Sequence, residues 1–249
     1  GGVTQNTGSA SFVKRGPSSF APMYAAEAEG LAALRAAGVR APAPYRHGVR
    51  GGEAFIEMEP LKLGAPADWP ALARMLAGLH RNTGPRYGWQ NDNWIGLAPQ
   101  HNGWNDDWAK FWFARRMTPQ LEMARPKGFA FEIEPLRALL AGHRPVASLL
   151  HGDLWSGNIG FTREGPVIFD PAVYYGDREA DLAMSELFGG FPREFYAAYA
   201  QAWPLDPGYS VRKDVYNLYH ILNHANLFGG GYAAQAGRTI ARLHAQAKG

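Results

Sequence analysis

The sequence contains no cysteine. That single absence excludes a disulfide framework, a thiolate zinc site and a cysteine nucleophile together. Long hydrophobic runs are missing too: no apolar stretch reaches the roughly eighteen residues of a membrane span, and the first residues lack the basic and apolar regions of a signal peptide. Nor does charge of one sign accumulate. The 25 Lys and Arg residues oppose 22 Asp and Glu for a net charge of +3, and they come singly or in pairs such as Arg115-Arg116 and Arg212-Lys213. A long basic stripe is what phosphate-backbone binding requires, so no nucleic-acid partner is expected. Internal repeats and low-complexity tracts are also absent, apart from a mild alanine bias. The expectation is a soluble, cytoplasmic, monomeric globular protein with no membrane partner.

What is present is apolar and aromatic. With 249 residues, 46% of them hydrophobic and 13% aromatic, the chain can bury a full core as one domain or as two lobes sharing a cleft. Composition shifts at Glu59-Pro60, which divides residues 1–59 from residues 60–249. The first part reads as a β-rich meander crossed by one helix. Ser11-Phe12-Val13-Lys14 is a short strand, and residues 22–37 form a helix with Pro22 near its start and Gly38 just past its end. Strands over 45–49 and 54–58 flank the turn Arg50-Gly51-Gly52-Glu53. The second part is mostly helical: Leu72, Met75, Leu76 and Leu79 mark one buried helix face, and Asn105-Asp106-Asp107 caps a helix bearing Trp108, Phe111 and Trp112. A further helix is expected over 133–141, and others over 180–188, 194–203, 212–228 and 233–247. Residues 81–103, rich in Gly, Asn and Pro, read as a long ordered loop.

The most informative stretch is His151-Gly152-Asp153-Leu154-Trp155-Ser156-Gly157-Asn158, followed by the apolar strand Val167-Ile168-Phe169 and Asp170. Phosphoryl transfer from a nucleotide needs a base for the acceptor hydroxyl, oxygen ligands for magnesium and a cation on the phosphates. Asp153 stands where a kinase catalytic-loop aspartate accepts the hydroxyl proton. Asn158, five residues on, and Asp170, at a strand end, stand where the Mg2+ ligands belong. One match would be weak; three in order specify a phosphotransferase using ATP. Upstream, Lys14 ends its strand as a phosphate-binding lysine does, and Glu27 lies thirteen residues later on the helix that would pair with it. Glu29 is the competing partner, but it lies about 200° away from Glu27 around a helix. The connecting Glu57-Met58-Glu59-Pro60 offers backbone groups to adenine.

These stretches resemble the fructosamine kinase (ketosamine kinase) family, a branch of the kinase-like fold shared with aminoglycoside and choline kinases. The resemblance rests on the loop above, on Asp170-Pro171-Ala172-Val173-Tyr174-Tyr175-Gly176-Asp177-Arg178-Glu179, and on Asp92-Asn93-Trp94-Ile95-Gly96. Residues 108–116 and Leu222-Asn223-His224-Ala225-Asn226-Leu227-Phe228-Gly229 also match. It implies an α+β, bilobal protein kinase-like fold with a nucleotide-binding lobe over 1–59 and a catalytic and substrate lobe over 60–249. It also implies ATP and Mg2+ as cofactors, Asp153 as the base, Asn158 and Asp170 as metal ligands, and Lys14 with Glu27 as the phosphate-positioning pair. Trp155 would lie beside the sugar, with Asn223 and His224 toward the substrate. Gly1-Gly2-Val3-Thr4-Gln5-Asn6 resembles the family's nucleotide loop, with Gly2 near the phosphates. It opens the chain, about a dozen residues before Lys14, and residues are expected to be missing before Gly1 and between about 6 and 11.

The implied reaction is phosphorylation of the third hydroxyl of a ketosamine, a small molecule or a glycated protein amine, as deglycation repair. Residues 182–249 carry four acids, six Lys and Arg and eleven aromatics, a balance that suits a sugar better than a polycationic aminoglycoside. The alternatives are another small-molecule kinase of this fold, acting on an aminoglycoside, choline or sugar, and a nucleotide-binding protein without turnover. His220 and His224, one helical turn apart, lack a third ligand at recognisable spacing and read as a polar helix face or a satisfied core. Asp177 and Asp181 are expected to brace the catalytic loop or cap the next helix.

Overall fold

Alternation of burial along one strand organises the small lobe. In the computed structural model, which describes residues 10–249, β1 (Phe12–Pro17), β2 (Pro44–Arg50) and β3 (Glu53–Met58) form an antiparallel sheet in the order β1-β3-β2. On β3 the side chains of Ala54, Ile56 and Met58 are buried while Glu53, Phe55 and Glu57 are not, the period-2 pattern of a sheet with one covered face. The cover is α1 (Ala21–Ala36), which buries Tyr24, Ala28, Leu31 and Leu34. Gly2 and the rest of the expected nucleotide loop lie outside the described residues.

After β3 the chain is mainly helical. Asp68 caps α2 (Trp69–His80) by accepting the Ala71 N–H at 2.9 Å. The segment expected to be loop contains a hairpin, β4 (Asn93–Ile95) and β5 (Ala98–Gln100), whose pairing includes Pro99 opposite Trp94. Three-residue strands with mixed polarity and an internal proline have no periodicity to read. Next come α3 (Trp108–Trp112), one π-helical turn over Phe113–Met117, and α4 (Thr118–Ala124). The helix expected over 133–141 is a 3-10 segment, Glu134–Leu139, with Pro135 near its start and i→i+3 bonds such as Leu136 N–H to Ile133 O at 2.9 Å.

Two short antiparallel pairs carry the polar motif. β6 (Ser148–Leu150) pairs with β9 (Tyr174–Gly176), and β7 (Ile159–Thr162) pairs with β8 (Gly165–Ile168). The chain ends in α5 (Glu179–Leu187), α6 (Arg193–Ala202), α7 (Tyr209–Phe228) and α8 (Gly231–Ala247). No helix among the described residues is long and apolar enough to cross a membrane.

The large-lobe core is aromatic around a charge. Trp108, Trp112 and Tyr216 are buried and pack ring to ring, with the Trp108 indole N–H donating to Tyr216 Oη at 2.9 Å. Arg116 is also fully buried. Its guanidinium lies 4.1 Å from the Tyr174 ring centroid and 4.9 Å from that of Phe111, and it donates to Asn102 Oδ1 at 2.7 Å and to the His101 carbonyl. No carboxylate neutralises it among the described residues. Ring faces and carbonyls do so instead. From Asn102 the hydrogen bonds continue to Asn93 Oδ1, and from Asn93 and Gln100 to the carbonyls of Val173 and Ala172.

Candidate active site

The turn after β6 is fixed by three separate constraints. Gly152 has φ +86°, and a Cβ there would fall 1.9 Å from the Ala172 carbonyl oxygen, so only glycine fits. The His151 imidazole contacts Phe169 O at 2.7 Å through Nε2 and takes the Asp153 N–H at 3.1 Å through Nδ1. Those two contacts require the neutral tautomer with Nε2–H donating, and burial holds its pKa below the usual value. Asp181, at the start of α5, accepts the N–H groups of His151 (2.8 Å) and Gly152 (2.9 Å), and His80 Nε2 lies 2.9 Å from it. Burial on its own would raise the Asp181 pKa. The His80 hydrogen bond and charge, His151 and the Gly152 N–H outweigh it, and the pKa is lowered.

Asp153 projects from this braced turn. Burial pushes its pKa up to about 7, against the opposing hydrogen bond from Asn158 and with Asp170 and Asp181 adding repulsion. A carboxylate held there can take a proton near neutral pH. Asn158 Nδ2 donates to Asp153 O (2.8 Å) and Oδ2 (3.1 Å), which leaves Asn158 Oδ1 without a partner among the described residues. The Phe169 N–H donates to Asn158 O at 3.0 Å, tying the loop to the strand end that carries Asp170.

Asp170 has φ +52° and is the one non-glycine residue with positive φ among those described. Such a conformation costs about 1–3 kcal/mol and persists only where the surroundings impose it. Behind it, a Cβ added at Gly30 of α1 would lie 3.1 Å from Pro171 Cγ, so the absence of a side chain on α1 gives this segment room. In front, Lys14 Nζ reaches Glu27 Oε1 and Asp170 Oδ1 at 2.6 Å each. Burial opposes the lysine charge, but the two carboxylates outweigh it and raise its pKa. Burial also raises the Glu27 pKa, Lys14 working against it.

Glu29 turns to the other side of α1. It accepts hydrogen bonds from Trp89 Nε1 (3.0 Å), Gln90 Nε2 and Asn91 Nδ2 (3.0 Å), and so joins α1 to the segment before β4. At the connection between lobes, Glu57 pairs with Arg46, and Glu59 with Arg40 at 2.8 Å. Met58 is buried, and the Glu59 N–H is engaged by Ala43 O at 2.9 Å. Pro60 has no N–H to offer.

Trp155, 37% exposed, projects from the loop and meets Phe188 edge to face at 6.1 Å; Phe188 meets the His224 ring at 4.7 Å. Asn223 is placed differently. Its Nδ2 donates to Ile95 O at 3.3 Å and its Oδ1 accepts from Gln120, so its amide is held inside the body while the neighbouring His224 faces the rings. His220 is buried, and burial pushes its pKa down to about 3. Asp177 accepts the Glu179 N–H at the start of α5 (3.0 Å), the Tyr216 hydroxyl (2.6 Å) and His143 Nε2 (2.7 Å). His143, Asp177 and Glu179 have a donor geometry that could hold a cation, but Arg212 already grips Glu179 through two bonds of 2.7 and 2.8 Å.

The donor set suits a hard cation: an unpartnered amide oxygen on Asn158 and the 46% exposed side chain of Asp170. Asp181 braces the loop as the sequence led us to expect; sequence reasoning missed His80 as its partner, the Glu29 clamp, and Phe188, whose position before Gly189-Gly190 carries no motif.

Comparison with known proteins gives one family throughout. The fructosamine kinase family model matches residues 2–246. A protein of Synechocystis sp. named "Probable ketoamine kinase" is 46% identical over 235 residues, covering 90% of this chain and 80% of that protein. The chloroplastic protein-ribulosamine 3-kinase of Oryza sativa subsp. indica is 42% identical over 240 residues, covering 90% of this chain and 70% of that protein. A crystal structure from Haemophilus somnus, named "Putative fructosamine-3-kinase", superposes with a TM-score of 0.89 at 33% identity, covering 94% of this chain and 83% of that one. A type VIII aminoglycoside-3'-phosphotransferase shares the fold alone, with a TM-score of 0.52 at 18% identity. On the extent of these matches, the chain belongs to the fructosamine kinase family, and its fold is the bilobal α+β kinase-like fold.

Proposed function

We propose that the protein phosphorylates the third hydroxyl of ketosamines at the expense of ATP, with residues 1–59 as the nucleotide lobe and residues 60–249 as the catalytic and substrate lobe. The observation that carries this reading is that Lys14 meets Glu27 and Asp170 across the two lobes, while Asp153 and Asn158 bond to each other and are tied to the Asp170 segment through the Phe169 N–H. Asp153 accepts the hydroxyl proton as that oxygen attacks the γ-phosphorus, and the bond to the leaving ADP breaks. Asn158 and Asp170 would hold Mg2+, which when bound screens the phosphate charge. Lys14, steadied by Glu27, would sit on the phosphates. Trp155 and His224 offer ring faces to the sugar. The product carries phosphate on the carbon α to the carbonyl; enolisation toward the amine-bearing carbon makes it an allylic leaving group, and loss of phosphate leads to release of the amine.

The test is ADP release from ATP and magnesium with fructosyl-lysine, ribulosyl-lysine, choline and kanamycin offered separately. Turnover is expected on the two ketosamines. Turnover on choline or kanamycin alone would overturn the acceptor assignment, and no turnover on any would return the protein to a nucleotide-binding role.

A further inference from the structure

The rings beside Trp155 do not stop at the sugar's reach. From His224 the contacts continue to Phe228 at 5.6 Å and Tyr232 at 5.1 Å, and these two meet each other at 6.3 Å. The centroid steps from Trp155 through Phe188 and His224 to Phe228 are 6.1, 4.7 and 5.6 Å. An extended six-carbon chain, roughly 6 Å long with bonds of about 1.5 Å, therefore spans one step, and a group at its far end is what extends toward Phe228. Phe228 is 68% exposed at the end of α7. Its neighbour Leu227 approaches Gly96, where a Cβ would lie 3.5 Å from Leu227 Cδ1, which brings the β4–β5 turn and its exposed Leu97 alongside. A single exposed ring is ordinary, whereas a contiguous run leading out of a reaction site marks a binding surface.

The rings of the track themselves carry no ion contacts among the described residues, and Lys127, the cation that reaches the end of α7, is engaged by the Asn226 carbonyl. Among the described residues, none of Trp155, Phe188, Phe228 and Tyr232 has a cation over its ring, and His224 has no carboxylate partner. A carboxylate or ammonium laid along it would lose water without gaining a counter-ion. Resting on the ketosamine reading above, we infer that Phe228 and Tyr232 form a subsite for the substituent on the acceptor's nitrogen. The geometry selects an apolar, uncharged extension over the zwitterion of a free amino acid.

Two acceptors separate the possibilities: fructosyl-lysine, and the same compound with its α-amine benzoylated and its carboxyl amidated. The capped acceptor is expected to show a KM about tenfold lower, the size of one aromatic contact. In Phe228→Ala that ratio should fall to near one, and Tyr232→Ala should reduce it as well. Phe228 is largely exposed, so its truncation opens no core cavity. Equal KM values in the wild type, a preference for the free zwitterion, or a ratio that survives Phe228→Ala would each overturn the subsite. Failure of the underlying reading looks different: neither acceptor would release ADP.

Discussion

On the small-lobe side of the cleft, Lys14 is gripped by Glu27 and Asp170 at 2.6 Å each, and every contact is between formal charges. On the opposite side Trp155, Phe188 and His224 meet ring to ring at 4.7–6.1 Å, with no ion pair between them. On the function proposed above, the difference follows from what each side must recognise. Phosphates are charged whatever the acceptor, so the first half needs only cations and carboxylates at set positions. A sugar on an amine has little charge to read, so the second half depends on shape and apolar area. The donor half is therefore common to kinases of many substrates, and the acceptor half is where substrates are told apart.

The largest expected effect belongs to the residue both halves share. Asp153→Asn should lower turnover by about 10³-fold, within the range for loss of a general base, while nucleotide affinity measured by fluorescence titration changes little. Turnover close to wild type would remove Asp153 as the base.

A crosswise pair then tests the division itself. Lys14→Met should lower kcat/KM for ATP by about 100-fold and leave the acceptor KM near its starting value. Trp155→Ala should do the reverse, raising the acceptor KM about tenfold with the ATP KM little changed. If either substitution moves both constants equally, the two halves are not separable.

The acceptor-side helix α7 also carries a pH liability. His220 titrates at about 3 when folded, against an ordinary value near 6.5. Between those values the unfolded chain binds a proton that the folded one does not, so stability falls as pH drops through 6.5 and the loss continues toward pH 3. At pH 5 this amounts to about 2 kcal/mol. Over the same range the raised Asp153 pKa works in the opposite direction and the lowered His151 pKa in the same one, so the contribution is read as a difference: between pH 7.5 and pH 5, thermal melts of His220→Gln should show about 2 kcal/mol less acid destabilisation than those of the wild type. An equally steep fall in the variant would place the liability elsewhere.

The smallest effect is expected at Glu29. Glu29→Gln leaves one acceptor oxygen in place of a carboxylate that receives three side chains, and α1 should loosen by enough to raise the ATP KM roughly threefold. Because Trp89 Nε1 donates to this carboxylate, its fluorescence should shift in the same variant. An unchanged ATP KM would show that packing alone holds α1 in place.

What could be read in advance was local. Asp153, Asn158 and Asp170 lie within eighteen residues on one loop and the strand after it, and Lys14 and Glu27 lie on adjacent elements, so offsets along the chain fixed their meaning. The helical angle between Glu27 and Glu29 correctly sent them to different sides, but the partners of Glu29 are about sixty residues away and no periodicity points to them. Asn223 and His224 show the limit most clearly. Neighbours on a helix differ by about 100°, and which of two polar residues faces the cleft depends on Gln120 and Ile95, from elements distant in sequence. The hairpin over β4 and β5 stayed hidden because its strands are three residues long, with Pro99 in the second.

The buried Arg116 guanidinium couples the aromatic core to the segment behind the candidate site. Its charge is compensated only when Tyr174, Phe111 and the carbonyl of His101 have all closed around it, and the same contacts lead through Asn102 and Gln100 to the backbone just behind Asp170. A chain that has formed its helices but not docked the 81–103 segment has not yet exchanged the water around this cation for rings and carbonyls. Refolding should therefore restore catalysis only with the last phase of tertiary fluorescence recovery, and activity returning before that phase would show that the site can form without the arginine in place.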